Sequence, residues 1–303
     1  MNLLLTGGTG FLGRIIKMQL ASKYKIYNLS RSDSDYCVTL EKNEPSFNQI
    51  FDLVIHAAGK AHSIPKKESE EKEFFQVNFD GTLNLLKGLE KSGLPKRFVF
   101  ISSVAVYGID EGININEEYP LLAKDPYGLS KIYAEELILK WCQEKNVTCT
   151  ILRLPLLVGK KPPGNLGAMI RAIKKGYYFN IGKGEARKSM VLCNDIALFI
   201  PVVSKVGGVY NLTDGYHPSF FELSQSLSKS NTGHLNLPLY LAKIFGRIGD
   251  FLGDSAPINS VKIKKITSDL TFDDSKARKL VNWNPELVLN YLKKADLDER
   301  AMS

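Results

Sequence analysis

The chain has 303 residues, 44% of them hydrophobic, enough to bury a sizeable core in one large domain or two lobes. Its formal net charge of +8 could suit nucleic acid, but the lysines are spread through helices and loops and no nucleic-acid module is visible, so an anionic small substrate accounts for it at least as well. No signal peptide is visible, no apolar run reaches the ~18 residues of a membrane span, and Cys37, Cys142, Cys149 and Cys193 lack metal-ligand spacing, so a cytoplasmic protein with reduced thiols and no metal is expected.

Asn2-Leu3-Leu4-Leu5 reads as a short apolar strand and Phe11 to Ala21 as an amphipathic helix. Between and into them runs Thr6-Gly7-Gly8-Thr9-Gly10-Phe11-Leu12-Gly13, a Gly-x-x-Gly-x-x-Gly pattern in strand-turn-helix context. Glycines there allow a tight turn, a close backbone approach to a pyrophosphate, and helix-on-strand packing, while the helix N-terminus attracts the anion. Gly7, Gly10, Phe11, Leu12 and Gly13 are therefore candidate dinucleotide contacts.

A second strand, residues 25 to 29, ends in Ser30-Arg31, where an acid would bind ribose hydroxyls and favour NAD. Ser30 and Arg31 could accommodate a 2′-phosphate, which favours NADP(H), or Arg31 merely caps the strand at the surface; Asp33 or Asp35 would supply the acid if the loop folds back. Strands follow near 52 to 57, 97 to 102 and 148 to 154. Strand-helix alternation of this kind implies a parallel sheet, and right-handed crossovers make it an α/β doubly wound (Rossmann) fold with its ligand at the strands' C-terminal ends.

Ser103 stands at such an end, after the apolar run Phe98 to Ile101. Tyr127-Gly128-Leu129-Ser130-Lys131 opens a helical pattern, so Tyr127 and Lys131 lie one turn apart on one face. A free phenol with a pKa near ~10 cannot take a proton from an alcohol at neutral pH, but a nearby ammonium favours tyrosinate. Beside a dinucleotide site, that combination points to redox chemistry.

After Pro155 the pattern loosens into a loop, Lys160 to Leu166. The boundary falls near 160: residues 1–160 as the dinucleotide-binding domain and 161–303 as a smaller α/β substrate lobe, with Val209 to Leu212 able to return to the main sheet. Leu237 to Leu252 is amphipathic and suits either a membrane-surface helix or, preferred on its pattern, a domain-packing helix.

Together these pieces resemble the extended short-chain dehydrogenases/reductases, specifically the NAD-dependent epimerase/dehydratase group acting on nucleotide sugars. The resemblance runs through Thr6 to Gly13, Val54 to Gly59, Asn78 to Thr82, Ile101 to Gly108, Tyr127 to Lys131, Arg153-Leu154-Pro155 and Asp273 to Pro285. It implies Tyr127 as proton donor and acceptor, Lys131 on the nicotinamide ribose, and Ser103 on the reacting oxygen. Ala57, Ala58 and Gly59 would let backbone approach the cofactor, or simply end a strand in small residues. Asn78 would steady the sheet and the active-site helix, or cap locally. Asn165 and Leu166 would meet the nucleotide diphosphate, or form a turn. Arg187 or Lys188 would take the place of a phosphate-binding arginine, Lys188 by ungapped counting from Asp195, or the two would be a solvated charge pair.

Sugar 4,6-dehydratases of this kind carry an acid pair after the active-site hydroxyl; Val104 and Ala105 stand here and cannot move a proton. The implied activity is thus C4 epimerisation or 4-ketoreduction of a nucleotide-linked sugar, with UDP as carrier, for a surface polysaccharide, in a possible homodimer. A catalytically silent dinucleotide-binding regulator or scaffold is the alternative, against which stands the presence of serine, tyrosine and lysine together.

Overall fold

A computed structural model describes residues 1–60, 65, 67–228, 236–251 and 259–301. Seven strands, Asn2–Thr6 (β1), Lys25–Ser30 (β2), Tyr36–Cys37 (β3), Leu53–His56 (β4), Arg97–Ser103 (β5), Thr148–Leu154 (β6) and Gly208–Asn211 (β7), form one parallel sheet in the order β3-β2-β1-β4-β5-β6-β7. The helices are Phe11–Leu20 (α1), Glu68–Phe75 (α2), Gly81–Ser92 (α3), Pro126–Glu144 (α4), Gly164–Lys174 (α5), Cys193–Val203 (α6), Phe220–Leu227 (α7), Leu239–Phe251 (α8), Ser260–Thr267 (α9), Ser275–Val281 (α10) and Val288–Ala301 (α11).

Both faces of the sheet are covered, which is why its strands read as unbroken apolar runs. Alternation sends Leu3 and Leu5 into one core with Ile16 of α1 and Ile196 and Ile200 of α6, and Leu4 into the other with Leu85 and Leu89 of α3 and Ile138 of α4. All of these are buried, and each contributes roughly 1.5–3 kcal/mol over leaving it exposed. The strand order reverses between β1 and β4, opening a crevice at their C-terminal ends.

A further core gathers Leu166 and Ile173 of α5, Leu223 of α7 and Val288 of α11. The expected loop from Lys160 to Leu166 is shorter than expected, because Gly164 already opens α5. Pro162 and Pro163 read as loop residues, but proline with its fixed φ also suits a helix entrance, and Pro163 is the N-cap. The segment near Val209 does return to the main sheet: Gly208–Asn211 pairs with Thr150–Arg153. Leu239–Phe251 is the helix expected in the amphipathic stretch, whose last residue, Leu252, lies outside the described residues. Among the described residues no helix is long and apolar enough to cross a membrane, and no cluster of His, Cys, Asp and Glu could hold a metal ion. All four cysteines are free.

Candidate active site

The glycine loop lines the crevice where the sheet reverses. Gly7 has φ +72°, and a Cβ there would come within 2.6 Å of the Ala57 carbonyl and the Ala58 nitrogen. A Cβ at Gly13 would stand 2.1 Å from the Gly7 oxygen. The backbones of residues 7–13 and 57–58 are thus in contact, and Gly10 precedes α1 with no side chain capping it. Beneath the loop the Asn28 Oδ1 is buried and, among the described residues, has no hydrogen-bond partner; it lies 2.5 Å from where a Gly8 Cβ would be. Bare helix-terminal amides in a crevice walled by glycine and alanine suit a dinucleotide pyrophosphate. The loop after β2 does fold back, yet Asp35 accepts the Asn28 backbone N–H at 2.8 Å, down the sheet edge from the strand end. Arg31 and Asp33 remain exposed at that end.

A hydrogen-bond relay joins this crevice to α4. The Ala58 N–H donates to Thr6 Oγ1 at 3.0 Å, and Thr6 Oγ1 lies 2.7 Å from His56 Nδ1. His56 Nε2 is 2.9 Å from Thr82 Oγ1, whose own proton goes to the Asn78 carbonyl at 2.6 Å. Thr82 must therefore accept from Nε2–H, and Nδ1 must accept from Thr6, so the partners set the tautomer. The Asn78 amide donates to Ser130 Oγ at 3.0 Å and Ser130 donates to the Tyr127 carbonyl at 2.8 Å, while Asn78 Oδ1 accepts the Lys60 N–H at 2.8 Å. Asn78 sits in a π-helical turn, Gln76–Asp80, a local distortion that aims its amide at both segments. Sequence reasoning placed Asn78 between sheet and helix; it gave no role to His56, Thr82 or Ser130.

Asp125 caps α4 through the Gly128 N–H at 3.0 Å, with Pro126 next, so Tyr127 lies in the first turn. Ser103 ends β5 and hydrogen-bonds the Tyr127 phenol. Burial holds that phenol above its ordinary pKa; the Ser103 bond pulls it down, and Asp125 adds to the rise. The Lys131 ammonium donates to the Ile101 carbonyl at 3.0 Å, lies 4.5 Å from the Phe100 ring centroid, and would be 3.3 Å from a Gly59 Cβ. Burial brings Lys131 down to about 8, with Glu135 opposing. The Lys131 ammonium therefore faces the end of β4, and Tyr127 is protonated at neutral pH.

Behind Lys131 lies a buried ionic group. Arg153 donates to both Glu135 oxygens, closest at 2.8 Å, and to the Tyr107 hydroxyl at 3.2 Å. Ser102 also donates to Glu135, and Tyr107 donates to Asn211 Oδ1 at 2.8 Å. The signal for these residues in the sequence is weak: an acid four positions after Lys131, and one arginine in an otherwise uncharged strand.

The substrate candidates separate. Asn165 is exposed in the first turn of α5, whereas the Leu166 side chain is buried against Ile173, Leu223 and Val288, leaving only its backbone to meet a ligand. Arg187 and Lys188 alternate as in a strand. Arg187 is exposed, pairs with Glu222 at 3.4 Å and donates to the His217 carbonyl at 3.0 Å. Lys188 is buried, and among the described residues its ammonium has no hydrogen bond or ion pair; burial lowers its pKa, partly offset by Asp269 and Asp110. The two are not a solvated pair.

The model of the NAD dependent epimerase/dehydratase family matches residues 3–212. The chain is 29% identical over 297 residues, 91% of its length and 88% of the other's, to N-acetyl-alpha-D-glucosaminyl-diphospho-ditrans,octacis-undecaprenol 4-epimerase of Escherichia coli O157:H7. It is 28% identical over 310 residues to UDP-glucose 4-epimerase of Vibrio cholerae, covering 95% of this chain and 92% of that one. The structure of RMD from Pseudomonas aeruginosa complexed with NADPH superposes with a TM-score of 0.74 over 99% of this chain and 100% of that one, at 21% identity, a likeness of fold.

Proposed function

The chain belongs to the NAD dependent epimerase/dehydratase family and is an NAD(P)-dependent enzyme of the extended short-chain dehydrogenase/reductase type; on that premise we propose that it works at C4 of a diphosphate-linked sugar, as a 4-epimerase or 4-ketoreductase. The observation that carries the reading is the Ser103–Tyr127 hydrogen bond at the end of β5, joined through Ser130 and Asn78 to the dinucleotide crevice. Residues 7–13, Ala57 to Gly59 and Asn78 would hold the dinucleotide, which supplies the hydride donor or acceptor. Exposed Arg31 at the end of β2 favours NADP(H), with Asp33, exposed beside it, the acid that would favour NAD instead.

Tyr127, held protonated by burial, gives its proton to the C4 oxygen as a ketone is reduced; in the oxidising direction it takes the hydroxyl proton once ionised. Ser103 orients that oxygen. Val104 and Ala105 form the turn that follows and offer no group to eliminate water, so the product keeps its C6 hydroxyl where the substrate has one. Lys188 offers a buried positive charge to the diphosphate. UDP is the proposed carrier, on the way to a surface polysaccharide. The name of the Escherichia coli relative carries a diphospho-undecaprenol instead, so the diphosphate is the shared element.

The test is a panel of UDP-hexoses, UDP-N-acetylhexosamines, a polyprenyl-diphosphate sugar and 4-keto-6-deoxy derivatives, with and without NADPH or NADH, followed by NMR and nicotinamide absorbance. C4 inversion without net cofactor change means an epimerase; stoichiometric loss of reduced cofactor on a ketosugar means a reductase. Tyr127→Phe is expected to lower kcat by about 100-fold or more while leaving dinucleotide binding close to wild type. Activity retained in that variant refutes the assignment.

A further inference from the structure

Helices α8 and α9 form a surface that the C4 chemistry does not use. The residues α8 buries are Ala242, Gly246 and Gly249. Gly246 lies so close to α9 that a Cβ would meet Ile263 Cδ1 at 2.5 Å and the Ser260 backbone at 3.3 Å. Small residues therefore occupy the packed edge, and large ones face outward: Tyr240 is 65% exposed, Ile244 49%, Phe245 50%, Ile248 54% and Phe251 93%. Positions 240, 244, 248 and 251 recur every three or four residues, so they form one stripe along the helix. Isolated apolar side chains on a surface need no explanation, but a continuous stripe that includes aromatic rings does.

The charges around the stripe say what covers it. Lys243, Arg247 and Lys264 line a groove of about 430 Å³ between the two helices. The one acid of the pair, Asp250, is engaged in capping α9, accepting from the Ser260 N–H at 2.9 Å and its hydroxyl at 2.6 Å. A two-fold contact with a second copy would set this cationic groove against itself, in a chain of net charge +8. At 13 residues, α8 is about 20 Å long, too short for the ~30 Å hydrocarbon core of a bilayer but suited to lying in its interface.

We propose that α8 and α9 dock the protein onto a membrane surface rich in anionic phospholipid. The stripe enters the boundary between headgroups and acyl chains, and Lys243 and Arg247 meet headgroup phosphates. The docking face shares an edge with the candidate active site. Lys265 pairs with Asp110 at 3.0 Å and Lys264 with Glu111 at 3.3 Å, just past Gly108, which closes the turn begun at Ser103. Docking therefore holds one rim of the cleft against the bilayer, whichever carrier bears the sugar.

The test is co-sedimentation of the full chain with phosphatidylcholine vesicles and with vesicles containing phosphatidylglycerol, at low and high salt, alongside light scattering of the lipid-free protein. Expected is binding to the anionic vesicles alone, weakened by salt, and lowered about tenfold or more both by Ile244→Ser with Phe251→Ser and by Lys243→Glu with Arg247→Glu. The variants should keep the wild-type melting temperature, since the altered side chains are exposed or line the open groove. Three results overturn the proposal: no binding to anionic vesicles; equal binding of wild type and variants, which marks adsorption elsewhere; or a lipid-free dimer that Ile244→Ser with Phe251→Ser disperses.

Discussion

His56 is neutral because its surroundings leave no room for a second ring proton. Both nitrogens face hydroxyls whose roles are already set, the ring stacks on Phe100 at 5.6 Å, and burial, with Lys131 nearby, lowers its pKa to about 3. In the unfolded chain the value returns to about 6.5, so on acidification the unfolded state binds the proton first. The stabilisation is complete above pH 6.5 and is lost as pH falls from there toward 3, by an amount on the order of 5 kcal/mol, each unit being about 1.4 kcal/mol. His56→Gln should be less stable than wild type at neutral pH yet show a shallower fall of melting temperature between pH 6.5 and the onset of acid unfolding. Parallel curves for the two proteins would remove His56 from the acid response. None of this is legible in the sequence, where His56 is one residue at a strand end: its partners lie 50 and 26 positions away, and no local periodicity reports such distances.

Elements were legible where one physical constraint dominates. Strands buried on both faces read as apolar runs, and α4 was read from its apolar spacing and confirmed by its Asp125-Pro126 entrance. The position of α5 was not, because Pro-Pro-Gly signals a loop as strongly as a helix start. The short strand-like run at 186–189 shows what alternation adds: neighbouring cations, of which ungapped counting favours Lys188 with the register open by one residue, are sent to opposite sides, Arg187 outward to Glu222 and Lys188 inward. Lys188→Ala should weaken UDP binding by roughly tenfold or more, the scale of a charge-assisted contact in a buried setting. Arg187→Ala should change it little, since an exposed ion pair contributes about 0–1 kcal/mol and its partner is already in the protein. Calorimetric titration of UDP into both variants decides this, and a larger loss in Arg187→Ala would reverse the assignment.

At the scale of the molecule, the return of β7 to the sheet was visible as an apolar run, but what fastens it was not. Glu135 of α4 is 1% exposed and receives Arg153 of β6 and Ser102 of β5; Arg153 continues to Tyr107 and, at 3.3 Å, to the Glu117 carbonyl. Asn211 of β7 accepts from Tyr107 and donates its side-chain amide to the Ile115 carbonyl at 3.1 Å, while its backbone N–H donates to Glu117 Oε1 at 2.8 Å. The residues therefore tie the sheet and active-site helix to Gly112–Ile115, the strand that pairs with Leu270–Phe272 of the C-terminal segment. Removing the cation alone strands a buried carboxylate, which costs about 3–5 kcal/mol, whereas removing both charges costs less. Arg153→Met should thus lower the melting temperature by roughly 10 °C in a single transition, and Arg153→Met with Glu135→Leu should recover part of that loss. Scanning calorimetry reads both quantities. A single variant melting within about 2 °C of wild type would show the carboxylate to be solvated in its absence, and two separated transitions would show that the network does not bind the C-terminal segment to the sheet.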